Sequence, residues 1–236
     1  PDGHTRYRGV ATMNAIAKHL ATGLDVRTGT AVTAVRLLDG AWQVEIGDGE
    51  PLRCDAVLMT APVPQSLALL DAGSVVVGVE DRAALEAIRY DPCIAVLAPL
   101  DSPSAIVEPG AVAPTDGVID WMADNQIKGV SAAPAVTIHA SATFSEDHRD
   151  APAGEVAATL LEAAGLAGVA DLAATQVHRW RYARPTVMHH ERCLAADQPV
   201  SLVFAGDAFG GPQVEGAALS GDAAVVALMA MLDPVG

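Results

Sequence analysis

The sequence predicts an α/β protein with α+β character in the middle of the chain. First, residues 202–205 form a short apolar strand that continues through a glycine-rich turn into a long helix of small residues. Second, residues 56–60 form a continuous apolar strand of the kind that is buried on both faces. Third, between these segments the predicted strands outnumber the helices and are joined by long connections, which favours an antiparallel sheet with helices on one face.

Composition sets limits on the function. The chain has 236 residues, 51% of them hydrophobic, enough for one large core or two smaller ones. A formal net charge of -15 argues against nucleic acid and against anionic membrane surfaces as partners. The apolar run 223–232 is shorter than the roughly 20 residues that span a bilayer. Three scattered cysteines without a Cys-x-x-Cys pair indicate a reducing compartment, so we expect a cytoplasmic protein.

The first part of the chain begins with a helix whose plausible N-cap is Thr12 and whose apolar face includes Leu20. Alternating residues with Asp-Gly turns then indicate a meander, and Ala61-Pro62 ends the buried strand. The predicted strands are Leu24–Arg27 and residues 31–38, 42–46, 52–54 and 56–60. The chain starts on proline rather than methionine, so we expect residue 1 not to be the start of the gene product.

Residues 63–195 are predicted to be a separate domain inserted into one formed by residues 1–62 and 196–236. The predicted helices are 65–70, 81–88 and 154–164, and the predicted strands are 93–97, 118–122, 135–140 and 175–181. Trp180 and Tyr182 alternate with two arginines on the last strand. We expect the aromatic pair to pack in the core.

Five segments carry a resemblance to a known family: residues 6–20, 121–125, 137–148, 178–183 and 202–217. Together and in this order they resemble the renalase-like members of the FAD-dependent amine oxidase superfamily. The resemblance implies an FAD/NAD(P)-binding fold of the glutathione-reductase type. Residues 1–62 and 196–236 would bind FAD, and 63–195 would form an antiparallel-sheet substrate domain. The implied activity is hydride transfer from a dihydropyridine-type or amine substrate to the flavin.

The resemblance also implies which residues contact FAD. Asp207, directly after Gly206, would hydrogen-bond the ribityl chain, and the helix start would face the isoalloxazine ring, where its dipole favours negative charge. In any other α/β protein the same residues would simply form a strand-to-helix turn. The implied contacts are Val32 at the adenine, Thr60, Ala61 and Pro62 after the buried strand, and Gly206, Asp207, Val214, Glu215, Gly216 and Ala217 at the C-terminal motif.

Trp121 and Asn125 are the candidate catalytic residues, because the resemblance places them on the substrate side of the ring. A tryptophan and an amide could stack on and orient a nicotinamide-sized ring. A core tryptophan followed by a loop asparagine fits the pattern equally well. His139 is expected to be a satisfied core histidine. No metal is expected at His189-His190-Glu191, since neighbouring residues on an extended chain point in opposite directions.

The family's Gly-x-Gly-x-x-Gly turn, which holds the FAD pyrophosphate, does not occur in this sequence. We therefore expect these 236 residues to lack the N-terminal dinucleotide-binding βαβ unit, to bind FAD poorly alone and to be inactive as a fragment. Without that unit the sheet would expose apolar edges and the final helix an apolar face, so we expect either that an N-terminal segment precedes these residues or that they form a homodimer through this surface. Two alternatives remain open: a non-catalytic binding or self-associating module of the same fold, and a flavin-independent enzyme that uses Asp207 as an acid or base.

Overall fold

The computed structural model describes residues 9, 12, 14–114, 117–199 and 201–232. The chain divides into two compact units, which are described separately below. The first unit contains residues 1–26 and 92–183, and the second contains residues 27–91 and 184–236. The assignment of residues 63–195 to a substrate domain stays a prediction.

The elements follow one another along the chain in mixed α/β order. They are α1 (Asn14–Leu20), β1 (Val32–Leu38), β2 (Ala41–Ile46), β3 (Leu52–Cys54), β4 (Val57–Met59), α2 (Val63–Ala72), α3 (Val79–Ala87), β5 (Arg89–Pro99), β6 (Ala111–Val112), β7 (Ile119–Asp124), β8 (Ala135–Ala140), α4 (Ala142–Asp147), α5 (Ala153–Ala163), β9 (Gln176–Val187), β10 (Leu194–Ala195), β11 (Leu202–Phe204) and α6 (Gln213–Leu232).

The first unit is built on a five-stranded sheet with the order β6-β7-β8-β5-β9. The pairs β6–β7, β7–β8 and β5–β8 are antiparallel, which confirms the antiparallel sheet expected for the middle of the chain. Strand residues alternate between the two faces. Val136 and Ile138 therefore lie on the fully buried face and share a core with Leu160 of α5. Thr137 and His139 lie on the opposite face and are only partly buried.

The second unit holds two three-stranded sheets, β1-β2-β3 and β10-β11-β4. In the second of these, β11 runs parallel to β4, with Leu202 opposite Val57 and Phe204 opposite Met59. The strand β11 is buried throughout, because it lies between two neighbours and carries only large apolar side chains. One core joins the two sheets through residues such as Trp42 and Phe204.

The helix α6 is 20 residues long and buries little of its surface. Ser220 and Ala224 are fully buried, and Ala227, Leu228 and Met231 pack beside Val203 of β11. The remaining large apolar side chains are exposed: Val214, Leu219, Val225, Val226, Met229 and Leu232. By length and composition alone α6 could cross a membrane, although the apolar run counted from the sequence was shorter. Core helices of water-soluble proteins pass the same test.

Two expectations were wrong, one about a strand and one about burial, and one short helix was not predicted. Leu24–Arg27 is not a strand; Leu24 and Val26 are 68% and 57% exposed, so no buried partner fixes an extended conformation. Trp180 is 59% exposed rather than in the core. The short helix α4 was not predicted, although Ser141 caps it by accepting a hydrogen bond from the Phe144 amide. Of the family-like segment 6–20, residues 6–8, 10, 11 and 13 lie outside the described residues.

Candidate functional site

The parallel pair β4–β11 brings two predicted cofactor-contacting segments together. Both strands end at the same edge of their sheet, so Thr60-Ala61-Pro62 lies beside Gly206-Asp207. The Ala205 amide donates a hydrogen bond to the Met59 carbonyl at 3.0 Å. A Cβ atom on Gly206 would lie 3.7 Å from the Thr60 carbonyl oxygen. The carboxyl edge of parallel strands is where α/β proteins commonly place ligands.

A hydrogen bond connects the turn at Gly206 to α6. Gly206 has a φ of +140°, which L side chains rarely adopt. Its amide donates a hydrogen bond of 2.9 Å to the hydroxyl of Ser220, whose side chain is fully buried. This bond fixes the position of α6 relative to the end of β11. From the sequence, Ser220 is one of the many small residues of this helix, and its role as an acceptor became evident only from the structure.

The start of α6 lies directly against the preceding loop. A Cβ atom on Gly216 would be 2.0 Å from the Gly211 carbonyl oxygen, so any larger residue at 216 must displace the loop. The first amide N–H groups of a helix have no partner within the helix. Those near Val214 and Glu215 lie in this segment, and both of these side chains are exposed. Gly216 and Ala217 are partly buried.

Asp207 and Tyr90 form an ionisable pair at this edge of the sheet. Burial raises the pKa of Asp207, because the charged carboxylate loses solvation. Burial also raises the pKa of Tyr90, and the negative charge of Asp207 adds to that increase. The Tyr90 hydroxyl accepts a hydrogen bond from the Val63 amide at 3.2 Å, at the first residue of α2. Sequence reasoning did not single out Tyr90, since its strand neighbours gave no sign of proximity to residue 207.

The segment 189–193 borders the same turn. The His189 amide donates to the Ala208 carbonyl at 2.9 Å, and the Gly210 amide donates to the His189 carbonyl at 3.1 Å. The His189 ring lies 5.6 Å from the Phe209 ring. No group of three His, Cys, Asp or Glu side chains placed to hold a metal ion is found in the part of the chain that the structure describes. His189 thus contributes backbone hydrogen bonds and a ring contact to this turn.

Val32 is the predicted cofactor contact that lies apart from the others. It begins β1, in the other three-stranded sheet of the second unit, and pairs with Ile46. Its side chain is 38% exposed. The structure therefore groups the predicted residues around Thr60, Asp207 and Gly216 and leaves Val32 in a separate sheet. Its role at an adenine ring remains a prediction.

Trp121 and Asn125 lie on the partly buried face of the five-stranded sheet in the first unit. The Trp121 ring is 4.9 Å from the ring of His139 on the neighbouring strand, and the Lys128 ammonium is 4.9 Å from the Trp121 ring. The Asn125 side-chain amide donates to the Thr137 hydroxyl at 2.9 Å. Burial, together with the nearby Lys128 charge, lowers the pKa of His139. Asn125, Lys128 and Thr137 line one groove of about 490 Å³.

A comparison with protein families decides the classification. The family model for flavin containing amine oxidoreductases matches residues 3–229, nearly the whole chain. The chain belongs to this family. Membership implies a flavin cofactor, and the fold described above is consistent with the solved structures of related enzymes.

Three solved structures illustrate that fold. A putative protoporphyrinogen oxidase from Exiguobacterium sp. 255-15 matches with a TM-score of 0.61 at 15% identity, covering 94% of this chain and 51% of the other. A CLA-producing fatty acid isomerase from P. acnes gives 0.60 at 13% identity, covering 90% and 51%. A putrescine oxidase bound to putrescine gives 0.60 at 15%, covering 91% and 52%. The chain thus spans about half the length of these proteins.

The residues at the β4–β11 edge fit a flavin. A flat, anionic ligand needs close approach to backbone, which the glycines at 206, 211 and 216 allow. The start of a 20-residue helix supplies partial positive charge. Asp207 supplies a half-buried hydrogen-bond acceptor for a ligand hydroxyl group.

Proposed function

We propose that the chain forms part of an FAD-dependent oxidoreductase of the renalase-like group, which takes a hydride from a dihydropyridine-type or amine substrate. The observation that carries this proposal is that Thr60, Gly206-Asp207 and the start of α6 lie together at one edge of a sheet. The family match over residues 3–229 supports the flavin, and the renalase-like segments support the subgroup.

Each group at the edge has a proposed task. The Asp207 carboxylate would accept a hydrogen bond from a ribityl hydroxyl, and the first amides of α6 would help to hold the ring. Gly216 keeps the loop and helix close enough for that contact. The flavin, when bound, supplies the redox chemistry by accepting the hydride. In the first unit, Trp121 and Asn125 are the proposed substrate-orienting groups.

A second candidate is a non-catalytic, self-associating module of the same fold. One observation favours it: α6 exposes six large apolar side chains. The two candidates differ in a simple measurement, the visible absorbance of the purified protein after incubation with FAD and removal of free cofactor. A retained flavin band supports the oxidoreductase. A colourless protein that remains folded and self-associates supports the module instead.

Flavin retention by two glycine variants of α6 tests whether the cofactor binds at the start of this helix. Gly216→Ala places a Cβ atom 2.0 Å from the Gly211 carbonyl oxygen, whereas Gly221→Ala, five residues further along α6, meets nothing within 4 Å. We expect Gly216→Ala to lower flavin retention at least about tenfold by displacing the loop. Gly221→Ala should retain flavin and gain up to about 1 kcal/mol of stability. Circular dichroism checks that both variants fold, and equal retention by the two would place the flavin elsewhere.

A further inference from the structure

We propose that a pocket on the helix-covered face of the five-stranded sheet binds a small organic cation that has an apolar body. The pocket lies within the first unit, and its volume of about 540 Å³ falls in the range of small-molecule sites. It is lined by the segment 102–108, by the strand β6, by Met122 and by residues that follow α5. The site is additional to the proposed function and does not depend on the flavin.

The pocket is separate from the residues proposed to orient the substrate. Met122, which lines the pocket, pairs with Ile138 and packs against the core under α5. Its neighbour Trp121 pairs with His139 and therefore points to the opposite face of the sheet. A ligand in this pocket thus leaves the face that carries Trp121 open.

The floor of the pocket continues the apolar core of the first unit. Ile106, Met122 and Val169 line the pocket and also pack against the buried residues of that core, to which Leu166 itself belongs. A hydrocarbon chain or ring placed here would exchange contact with water for contact with these side chains. The pocket therefore favours a ligand whose larger part is apolar.

The charge beside the pocket selects a cation. Glu108 is the one ionisable side chain among the described lining residues. It is exposed, and the ion pairs found among the residues that the structure describes use other carboxylates. The formal net charge of -15 adds a field of the same sign. An exposed carboxylate beside an apolar pocket attracts an ammonium group and repels a carboxylate ligand.

A second carboxylate lies behind the wall of the pocket. The hydroxyl of Ser104, a lining residue, donates a hydrogen bond of 2.6 Å to Asp124, which also accepts two backbone amides at 2.8 Å. Burial acts to raise the pKa of Asp124, but these hydrogen bonds lower it overall, so the carboxylate is charged at neutral pH. The Lys128 ammonium lies over the Trp121 ring, on the other face of the sheet. Both carboxylates therefore favour a ligand with a positive charge.

Methionine signals locate the bound ligand. The chain has six methionines, of which Met122 lines the pocket. Labelling with ¹³C-methyl methionine gives a separate NMR signal for Met122, assigned with the variant Met122→Leu. Met229, which is exposed on α6, reports adsorption to apolar surface elsewhere. Hexylamine, hexan-1-ol and hexanoate are titrated in turn into the purified chain, as probes of equal chain length and different charge.

We expect hexylamine to shift the Met122 signal saturably and at lower concentration than hexan-1-ol, while hexanoate has no effect in the same range. By calorimetry, Glu108→Gln should weaken hexylamine binding about threefold, a modest change because the carboxylate is exposed, and should leave hexan-1-ol binding unchanged. Glu50→Gln, on an exposed turn of the second unit, is the matched control and should change neither.

Four results would overturn the proposal. Hexanoate or hexan-1-ol could bind as tightly as hexylamine, Glu108→Gln could leave hexylamine binding unchanged, hexylamine could leave the Met122 signal unmoved, or Met229 alone could shift. The readout needs no flavin. Failure to bind FAD counts against the oxidoreductase only, and failure of hexylamine to bind at Met122 counts against the pocket only.

Discussion

At the residue scale, we expect the Asp207 carboxylate to lower the stability of the folded chain and to strengthen cofactor binding. Burial raises its pKa in the folded chain, so the folded state holds this proton more tightly than the unfolded state. Stability therefore falls as pH rises from the ordinary carboxyl value through the raised one, and the loss persists at neutral pH. Asp207→Asn removes the loss, and we expect cofactor-free protein to melt on the order of 2 °C higher at neutral pH.

The same variant should bind FAD at least about tenfold more weakly, because a neutral amide is a poorer acceptor for a ribityl hydroxyl. Differential scanning fluorimetry from acidic to neutral pH and flavin titration measure the two effects. The melting difference should shrink as the pH approaches the ordinary carboxyl range. Asp222→Asn, on the exposed surface of α6, is the control. A lower melting temperature for Asp207→Asn at neutral pH would contradict this account.

Part of the candidate site could be predicted from residue types and part could not. The glycines and Asp207 stand next to each other in sequence, and the backbone conformation of Gly206 is one that only glycine adopts readily. Tyr90 and Ser220 reach the same edge from distant positions, through hydrogen bonds to the Val63 and Gly206 amides. Such contacts depend on how β4, β5 and α6 pack, which local patterns do not specify.

At the element scale, α6 is expected to mediate self-association of this chain. Val225 and Met229, one helical turn apart, are 54% and 53% exposed, with Leu232 beyond them. We expect a concentration-dependent dimer, and we expect Val225→Glu with Met229→Glu to weaken it at least about tenfold, because two charges would be buried in the interface. Sedimentation equilibrium measures the association.

The control for α6 is Val76→Glu, which places one such charge on a loop residue that is 83% exposed. It should leave the association unchanged. A protein that stays monomeric at all concentrations, or a double variant that associates as strongly as the parent, would remove α6 from the interface. Binding to neutral phosphatidylcholine vesicles that both glutamates abolish would instead show that the exposed face meets lipid.

Elements with strong periodicity were predicted well and those that depend on partners were not. The meander β1–β3 and the buried strands β4 and β11 have alternating or continuous apolar patterns and formed close to the predicted residues. Leu24–Arg27 also has apolar residues but is not a strand. The strand β9 extends to Val187, beyond the predicted end at residue 181, because pairing in the sheet continues where the apolar pattern stops. Tertiary pairing decided these cases.

At the scale of the whole molecule, the net charge of -15 opposes the binding of an anionic dinucleotide. FAD carries a pyrophosphate, whereas riboflavin carries the same ring and ribityl chain without charge. If local groups at the β4–β11 edge hold the ring and the ribityl chain, both ligands gain those contacts. Only FAD is repelled by the overall field, and salt screens that repulsion.

We therefore expect the affinity for FAD to rise with salt. Increasing NaCl from about 20 mM to about 200 mM shortens the screening length roughly threefold, and FAD binding should tighten several-fold while riboflavin binding stays nearly constant. Flavin fluorescence quenching gives both dissociation constants on the same preparation. Potassium sulfate at equal ionic strength separates screening from a specific chloride effect. FAD binding that weakens with salt would show that a local basic cluster holds the pyrophosphate and outweighs the acidic surface of the molecule.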